Sequence, residues 1–317
     1  MTARTTTRTA RPDVYQTVTD SIVAALEAGN VAPWHKPWKA GHAAGPVSRP
    51  LRNNGQPYQG VNVLVLWIAA EAAGYTAPLW LTYKQAAEAG GHVRKGEKGT
   101  TVVYASTFTK EETRADGSTA ERKIPFLKTY TVFNAEQCDG LPAHYAAQVP
   151  PPAGDVTPHE AAAAFAAATG ADIRAGGARA YYSPAADYIQ VPHAATFETA
   201  EAHACTTLHE LAHWTGHASR LARDLAGKFE RHAYAAEELV AELAAAFLAA
   251  DLGLEASPHP EHVNYLAAWL EVLKSDKRAI FTAASAASRA AAYLHSLQPG
   301  GAGDQEPAET EAEPVEA

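Results

Sequence analysis

The chain has 317 residues, two cysteines, 47% hydrophobic residues and a formal net charge of −9. That length calls for two domains. The longest apolar run, Val61 to Ala70, is interrupted by Asn62 and too short to span a membrane, so no membrane partner is expected. Cys138 and Cys205 lie far apart and match neither a metal-ligand spacing nor a disulfide framework, which suits a reducing, cytoplasmic compartment.

Charge divides the chain unevenly. Up to Tyr145 there are 16 Lys and Arg against 12 Asp and Glu; from Ala146 to Gly303 there are 10 against 17; from Asp304 onward there are six acids and no base. A basic front and an acidic middle suggest an anion-binding domain followed by a separate catalytic one. Residues 1–11 are basic with no apolar stretch after them, and read as a disordered arm rather than a secretory signal. The segment 298–317, rich in Pro, Glu and Ala, reads as a disordered acidic tail. Val149-Pro-Pro-Pro-Ala-Gly154 is a stiff linker within 146–157. It separates an N-terminal domain, 12–145, from a C-terminal domain, 158–297.

The first predicted element is an amphipathic helix from about Asp13 to Ala28, with Val14, Val18, Ile22 and Leu26 four apart and Gly29-Asn30 closing it. Pro33-Trp-His-Lys-Pro-Trp-Lys39 then interleaves aromatic rings with cations. A polar loop, Arg49 to Gly60, precedes a helix from Asn62 to about Ala73, and Trp80 to Gln85 leads into another short helix. The basic glycine turn Val93 to Thr100 feeds a strand, Thr101 to Ala105, which pairs with Lys128 to Phe133 across a charged hairpin from Lys110 to Lys123. These elements make an α+β domain with a small antiparallel sheet. Aromatic rings among Lys and Arg suit sequence-tolerant binding of single-stranded nucleic acid, because bases stack on rings and cations track phosphates. The candidate DNA contacts are Trp34, Lys36, Trp38, Arg52, Asn53, Lys95 and Lys98, with Trp67 and Trp80 as core residues.

Tyr181-Tyr182 and Tyr188 to Val191 read as two strands around a Ser183-to-Asp187 turn. Beyond them the stretch from Ala200 to His213 contains no Gly or Pro, carries the apolar stripe Ala204, Leu208, Leu211 and Ala212, and stops at Gly216. His209-Glu-Leu-Ala-His213 lies on this helix. Residues four apart stand one turn above each other, so the two imidazoles can share one Zn²⁺, and Glu210 beside them can act as general base on water. A second helix, Tyr234 to Leu248, places Glu238 and Glu242 one turn apart on an apolar face. Two buried carboxylates are costly unless something positive compensates them, and a metal held by His209 and His213 would do so. Glu238 is the expected third ligand and Glu242 the group that holds the free N–H of a ligand histidine, with the reverse order open. Glu237 reads as a solvated charge near the start of the helix. His217 is a poor third ligand and reads as a capping or substrate-side residue.

Trp34-His-Lys-Pro-Trp38, Asn53-Asn54 with Tyr58-Gln-Gly-Val-Asn62, Trp80-Leu-Thr-Tyr-Lys-Gln85, Val93 to Gly99 and Val132-Phe-Asn134 together resemble the N-terminal domain of ArdC-type antirestriction proteins, a domain that also occurs in plasmid primase-like proteins. His209 to His217 and Tyr234 to Glu242 resemble that family's C-terminal zincin domain. The likeness covers roughly residues 12 to 295 and departs at the Lys110–Lys123 hairpin and the acidic tail. The resemblance implies a single-stranded DNA-binding domain joined to a mainly helical, gluzincin-type metallopeptidase domain, in a protein that protects incoming conjugative DNA from restriction. It also implies that a strand of this Tyr181–Val191 hairpin lies along the active-site cleft, where it can pair with an extended peptide; a purely structural hairpin, with Asp187 a turn residue, is the alternative.

The expectation is therefore a two-domain α+β protein with one Zn²⁺, or another divalent metal, per chain, single-stranded DNA as partner and a peptide or protein as substrate. Two other readings share these residues: a DNA-binding protein with a catalytically silent, metal-stabilised zincin scaffold, and a zinc protease that cleaves a repressor.

Overall fold

The structure, a computed structural model, describes residues 13–28, 48–113, 119–145, 157–225, 231–254 and 262–300. The basic arm, Gly29-Asn30, the Trp34–Lys39 segment with its candidate contacts Trp34, Lys36 and Trp38, the Pro-rich linker and the acidic tail past Gly300 lie outside these residues. Among the described residues no helix is long and apolar enough to cross a membrane.

The N-terminal half is α+β. Helix α1, Val14–Ala28, buries Val18, Ile22 and Leu26 on the stripe read from the sequence. Helix α2, Val61–Ala73, buries Val61, Val63, Leu64, Leu66, Trp67 and Ala70. Four strands, β1 Leu51–Arg52, β2 Leu79–Thr82, β4 Thr100–Thr113 and β5 Thr119–Asn134, form a sheet in the order β1-β2-β5-β4. The sheet departs from expectation twice. The two-residue β1 runs parallel to β2. The hairpin does not stop at Ala105: its ladder continues to Thr113 opposite Thr119, taking up the charged segment. β-branched and aromatic residues from Thr101 to Thr109 extend the strand further than a count of apolar positions suggests.

Strand β4 is an edge, and Asn62 covers it. The Asn62 amide accepts from Val103 N–H at 2.8 Å and donates to Val103 C=O at 2.7 Å, imitating a neighbouring strand. Thr82 and Gln85 form a capping box that starts helix α3, Tyr83–Glu88. A two-stranded ladder of β3, His92–Val93, and β6, Cys138–Asp139, closes the base of the basic turn.

The C-terminal half opens with helix α4, Pro158–Ala168, and a sheet that β7, Asp172–Ala175, joins parallel to β9, Tyr188–Val191. Strand β8, Tyr181–Ser183, lies antiparallel on the other side of β9, so the order is β7-β9-β8 and β8 is an edge. Helices α5 Ala200–Thr215, α6 Arg231–Leu252, α7 His262–Ser275 and α8 Ala279–Ser296 complete it. Helix α6 is buried without interruption from Glu238 to Ala249. Its alanines at 241, 244, 245, 246 and 249 face a protein that offers Ala283, Ala284, Ala287, Ala290 and Ala291 from α8, and small residues on both sides allow close approach of the two backbones.

The two halves meet in one continuous apolar core. The Trp67 and Phe247 rings lie 5.8 Å apart between α2 and α6, and the Arg49 guanidinium stands over Phe247 at 4.9 Å while its Nε lies 2.9 Å from Asp251. Thr19 donates to Lys277 C=O at 2.8 Å, and Gly60 N–H donates to Ser288 at 2.8 Å. Trp67 and Trp80 are core residues, 8% and 2% exposed.

Candidate metal centre

Helix α5 starts at Thr199, whose hydroxyl accepts from Ala202 N–H, and ends at Gly216. Gly216 does not adopt a left-handed cap; its φ is −75°. A side chain there would meet Leu225 at 2.8 Å, the Arg223 guanidinium at 3.0 Å and His213 C=O at 3.1 Å. The glycine lets the following loop fold back against the helix, and that loop brings in Arg223.

Helices α5 and α6 run antiparallel, and their side chains interlock around one point. His209, His213 and Glu238 each direct one donor atom into a group whose members all lie within 4.8 Å of one another. The two Nε2 atoms are 3.2 Å apart, and Glu238 oxygens lie 3.5 Å from each. Bonds of about 2.0–2.2 Å arranged tetrahedrally require donor separations of roughly 3.3–3.6 Å. Two imidazoles and a carboxylate at this spacing suit a divalent metal by donor chemistry and by distance.

The outward nitrogens are also engaged. His209 Nδ1 lies 3.1 Å from Glu242, and His213 Nδ1 lies 3.2 Å from Glu237. A carboxylate on Nδ1–H fixes the tautomer and turns the Nε2 lone pair inward. Glu237 is not the solvated charge that its position suggests. It is held by Arg223 through Nε at 3.0 Å and Nη2 at 2.8 Å, while Arg223 also donates to Thr215 and to Ala212 C=O. A signal for Glu237 exists in the pairing of the helices: if His209 opposes Glu242 on antiparallel helices, His213 must oppose residue 237 or 238.

Burial disfavours charge on both imidazoles, yet the surrounding carboxylates outweigh it. His209 is raised well above the usual histidine value, and His213 is pushed up to about 9 by Glu237 and Glu238. Burial would raise Glu238 and Glu237, but their histidine partners, with Arg223 for Glu237, hold both below the usual carboxylate range. Without metal the cluster is thus compensated by protons, and a divalent cation would replace that positive charge as the protons leave.

Glu210, 3% exposed, lines a cavity of about 150 Å³ with His209, His213, Glu238, Tyr181 and Tyr182. Burial raises its pKa, against the pull of the two histidines, and its carboxylate accepts a hydrogen bond from the Tyr182 backbone. The Tyr234 hydroxyl, on the cavity wall, is 3.1 Å from that of Tyr265 and also bonds Glu238. Strand β8 therefore runs along the cleft. Asp187 is more than a turn residue: at φ 50° it accepts from Arg220 Nη1 at 3.0 Å and from Tyr182 OH at 2.8 Å. Arg220 in turn lies over Trp214 at 3.9 Å, which clasps the β8–β9 hairpin to the end of α5. His217 bonds Ser219 at 2.7 Å and is not in the donor group.

The described DNA candidates differ in their surroundings. Arg52 lies over Tyr58 at 5.5 Å and is partly buried, and Asn53 accepts from Tyr145 OH at 2.8 Å. Lys95 and Lys98 are exposed on the basic turn.

Residues 12–133 match the N-terminal domain of anti-restriction factor ArdC, and residues 160–286 match the zincin-like metallopeptidase family. Protein y4eC of Sinorhizobium fredii is 42% identical, over 90% of this chain and 92% of its own length. A DNA primase TraC of Escherichia coli is 39% identical over 87% of this chain, which corresponds to 26% of that longer protein. The metal-free crystal structure of the antirestriction protein ArdC from plasmid R388 superposes with a TM-score of 0.75 at 47% identity, covering 90% of this chain and 97% of that one. Its Mn(II)-bound form superposes with a TM-score of 0.73 at 46% identity, covering 90% and 98%. With both domain families matched in order, and almost the whole of ArdC covered, the chain belongs to the ArdC antirestriction family.

Proposed function

We propose that this protein protects entering DNA from restriction by binding it as a single strand through residues 12–145, and that residues 158–297 form a zinc-dependent peptidase. The observation that carries the second part is the buried triad of His209, His213 and Glu238 donors at 3.2–3.5 Å, with Glu210 beside it in the same cavity. His209, His213 and Glu238 would hold Zn²⁺, one per chain. A bound divalent ion supplies a Lewis acid for carbonyl and water oxygens.

Glu210 serves as the base that takes a proton from the attacking water. Its burial favours that role, because a carboxylate whose pKa is raised toward neutrality accepts and returns protons efficiently. The Tyr182 N–H holds its carboxylate in place. Glu242 and Glu237 keep the ligand imidazoles in register. Strand β8, an edge of its sheet, lines the same cavity, where an extended peptide would lie against it beside Glu210. The sparse cysteines, with no disulfide framework in the sequence, agree with a cytoplasmic site of action.

Metal analysis tests the role assignment. His209→Ala and His213→Ala should each abolish stoichiometric zinc, while Glu210→Gln keeps it; equal loss in the Glu210 variant would refute the assignment. In a conjugative-transfer assay, coating of the strand predicts that Glu210→Gln still protects, whereas protection by hydrolysis predicts that it does not. We favour coating, because stacking and charge neutralisation need no catalytic step.

A further inference from the structure

The basic turn and the open face of the four-stranded sheet present a second feature. Tyr83, the first residue of α3, is 62% exposed, the highest value for a large hydrophobic side chain among the described residues. Its ring pairs edge-on with Phe133 of β5, centroids 6.5 Å apart at 70°, so Phe133 buttresses Tyr83 and leaves its ring open to solvent. The turn packs against Phe133, the ring that also meets Tyr83. A side chain at Gly99 would meet Thr131 at 2.3 Å and the Phe133 ring at 2.9 Å, so only glycine lets the backbone settle there.

This turn is rigid without help from its lysines. Arg94 bonds Glu97 at 2.7 Å and pairs with Asp139 at 3.5 Å; Gln137 donates to Glu97 at 3.0 Å and to Lys98 C=O at 2.9 Å. Lys95 and Lys98 are both exposed, and neither has an ion-pair partner among the described residues. Two uncompensated cations on a fixed turn, next to a buttressed and exposed aromatic ring, match what single-stranded nucleic acid requires: a ring for a base and charges for its phosphates.

We infer that Tyr83, with Lys95 and Lys98, forms a base-stacking platform for single-stranded DNA on the open face of the sheet. This rests on the single-stranded DNA reading above and names its surface. The platform accounts for the pairing of Trp80-Leu-Thr-Tyr83 with the distant Val93–Gly99 turn: both segments close on Phe133.

Fluorescence anisotropy of the full-length protein with fluorescein-labelled (dT)₃₀ across a salt series tests it. Tyr83→Ala should weaken binding about 5- to 150-fold, the loss of one stacked base, and Tyr83→Phe should bind as wild type does. Lys95→Gln and Lys98→Gln should each reduce the slope of log affinity against log salt by about 0.7. Wild-type affinity in Tyr83→Ala overturns the platform and leaves the broader reading standing. Equal loss in Tyr83→Ala and Tyr83→Phe also overturns it, because the ring would not then be the contact. No binding by the wild-type protein overturns the broader reading itself. Zinc content measured in each variant establishes that the fold is intact.

Discussion

At the scale of single residues, the proposed metal centre depends on carboxylates outside its donor set. Glu242 and Glu237 act on His209 and His213 through Nδ1, and their loss frees the rings to turn. Glu242→Gln and Glu237→Gln should each weaken zinc binding about 10- to 100-fold in a chelator competition. Glu238→Ala should weaken it more than either, since it removes a donor; the opposite order would exchange the roles of Glu238 and Glu242. Arg223→Leu should resemble Glu237→Gln, because it leaves the Glu237 carboxylate partly buried without its guanidinium.

At the scale of elements, the cleft strand is positioned by a clasp that responds to acid. The Arg220 guanidinium is the largest influence on Asp187 and, with Tyr182, lowers its pKa from 3.8 to about 2. A carboxylate depressed in the folded state contributes stability that is complete above its ordinary pKa and lost as pH falls through the folded value. Asp187→Asn removes that contribution at every pH and keeps the backbone, since Asn tolerates positive φ. Urea denaturation should therefore find the variant less stable at pH 6, with the two proteins converging near pH 2. A difference that persists unchanged at pH 2 would show that Arg220 does not act through the Asp187 charge. The same clasp explains why β8, a strand of three residues, can hold its edge toward the cleft: Arg220, Asp187 and Tyr182 tie it to the helix that carries His209 and His213.

At the scale of the whole molecule, the charge division into a basic front and an acidic back does not produce two independent bodies. Trp67, Arg49, Thr19 and Gly60 from the front pack against Phe247, Asp251, Lys277 and Ser288 from the back. The halves should unfold in one transition. Phe247→Ala, which empties a fully buried site, should cost about 3–5 kcal/mol and lower the temperatures of zinc loss and of DNA release together. Release of one at the wild-type temperature would show that the halves melt separately. For the same reason DNA binding is best measured on the full chain, since residues 1–145 alone would expose the apolar faces of α1 and α2.

What the sequence determined by itself was local. Periodicity placed α1, α5 and α6, because a buried stripe must recur every turn, and the spacing of His209 and His213 put two imidazoles on one helical face. Trp67 and Trp80 declared themselves as core by their apolar neighbours, and the strands at Tyr181 and Tyr188 by the turn between them. Only the tertiary structure decided the long-range pairings. Nothing near Glu237 in sequence marks it as the partner of His213; that follows from the antiparallel crossing of α5 and α6. Nothing near Arg220 or Arg223 marks the carboxylates they hold, and Gly216, which reads as a helix stop and does end α5, is also required by a close approach that the sequence does not show. The charged hairpin of Lys110 to Lys123 read as a connection beyond strands that end at Ala105 and begin at Lys128, while backbone pairing carries the ladder out to Thr113 opposite Thr119. Local rules act on neighbours along the chain, whereas burial, ion pairing and ladder extension depend on which distant segments the fold brings together.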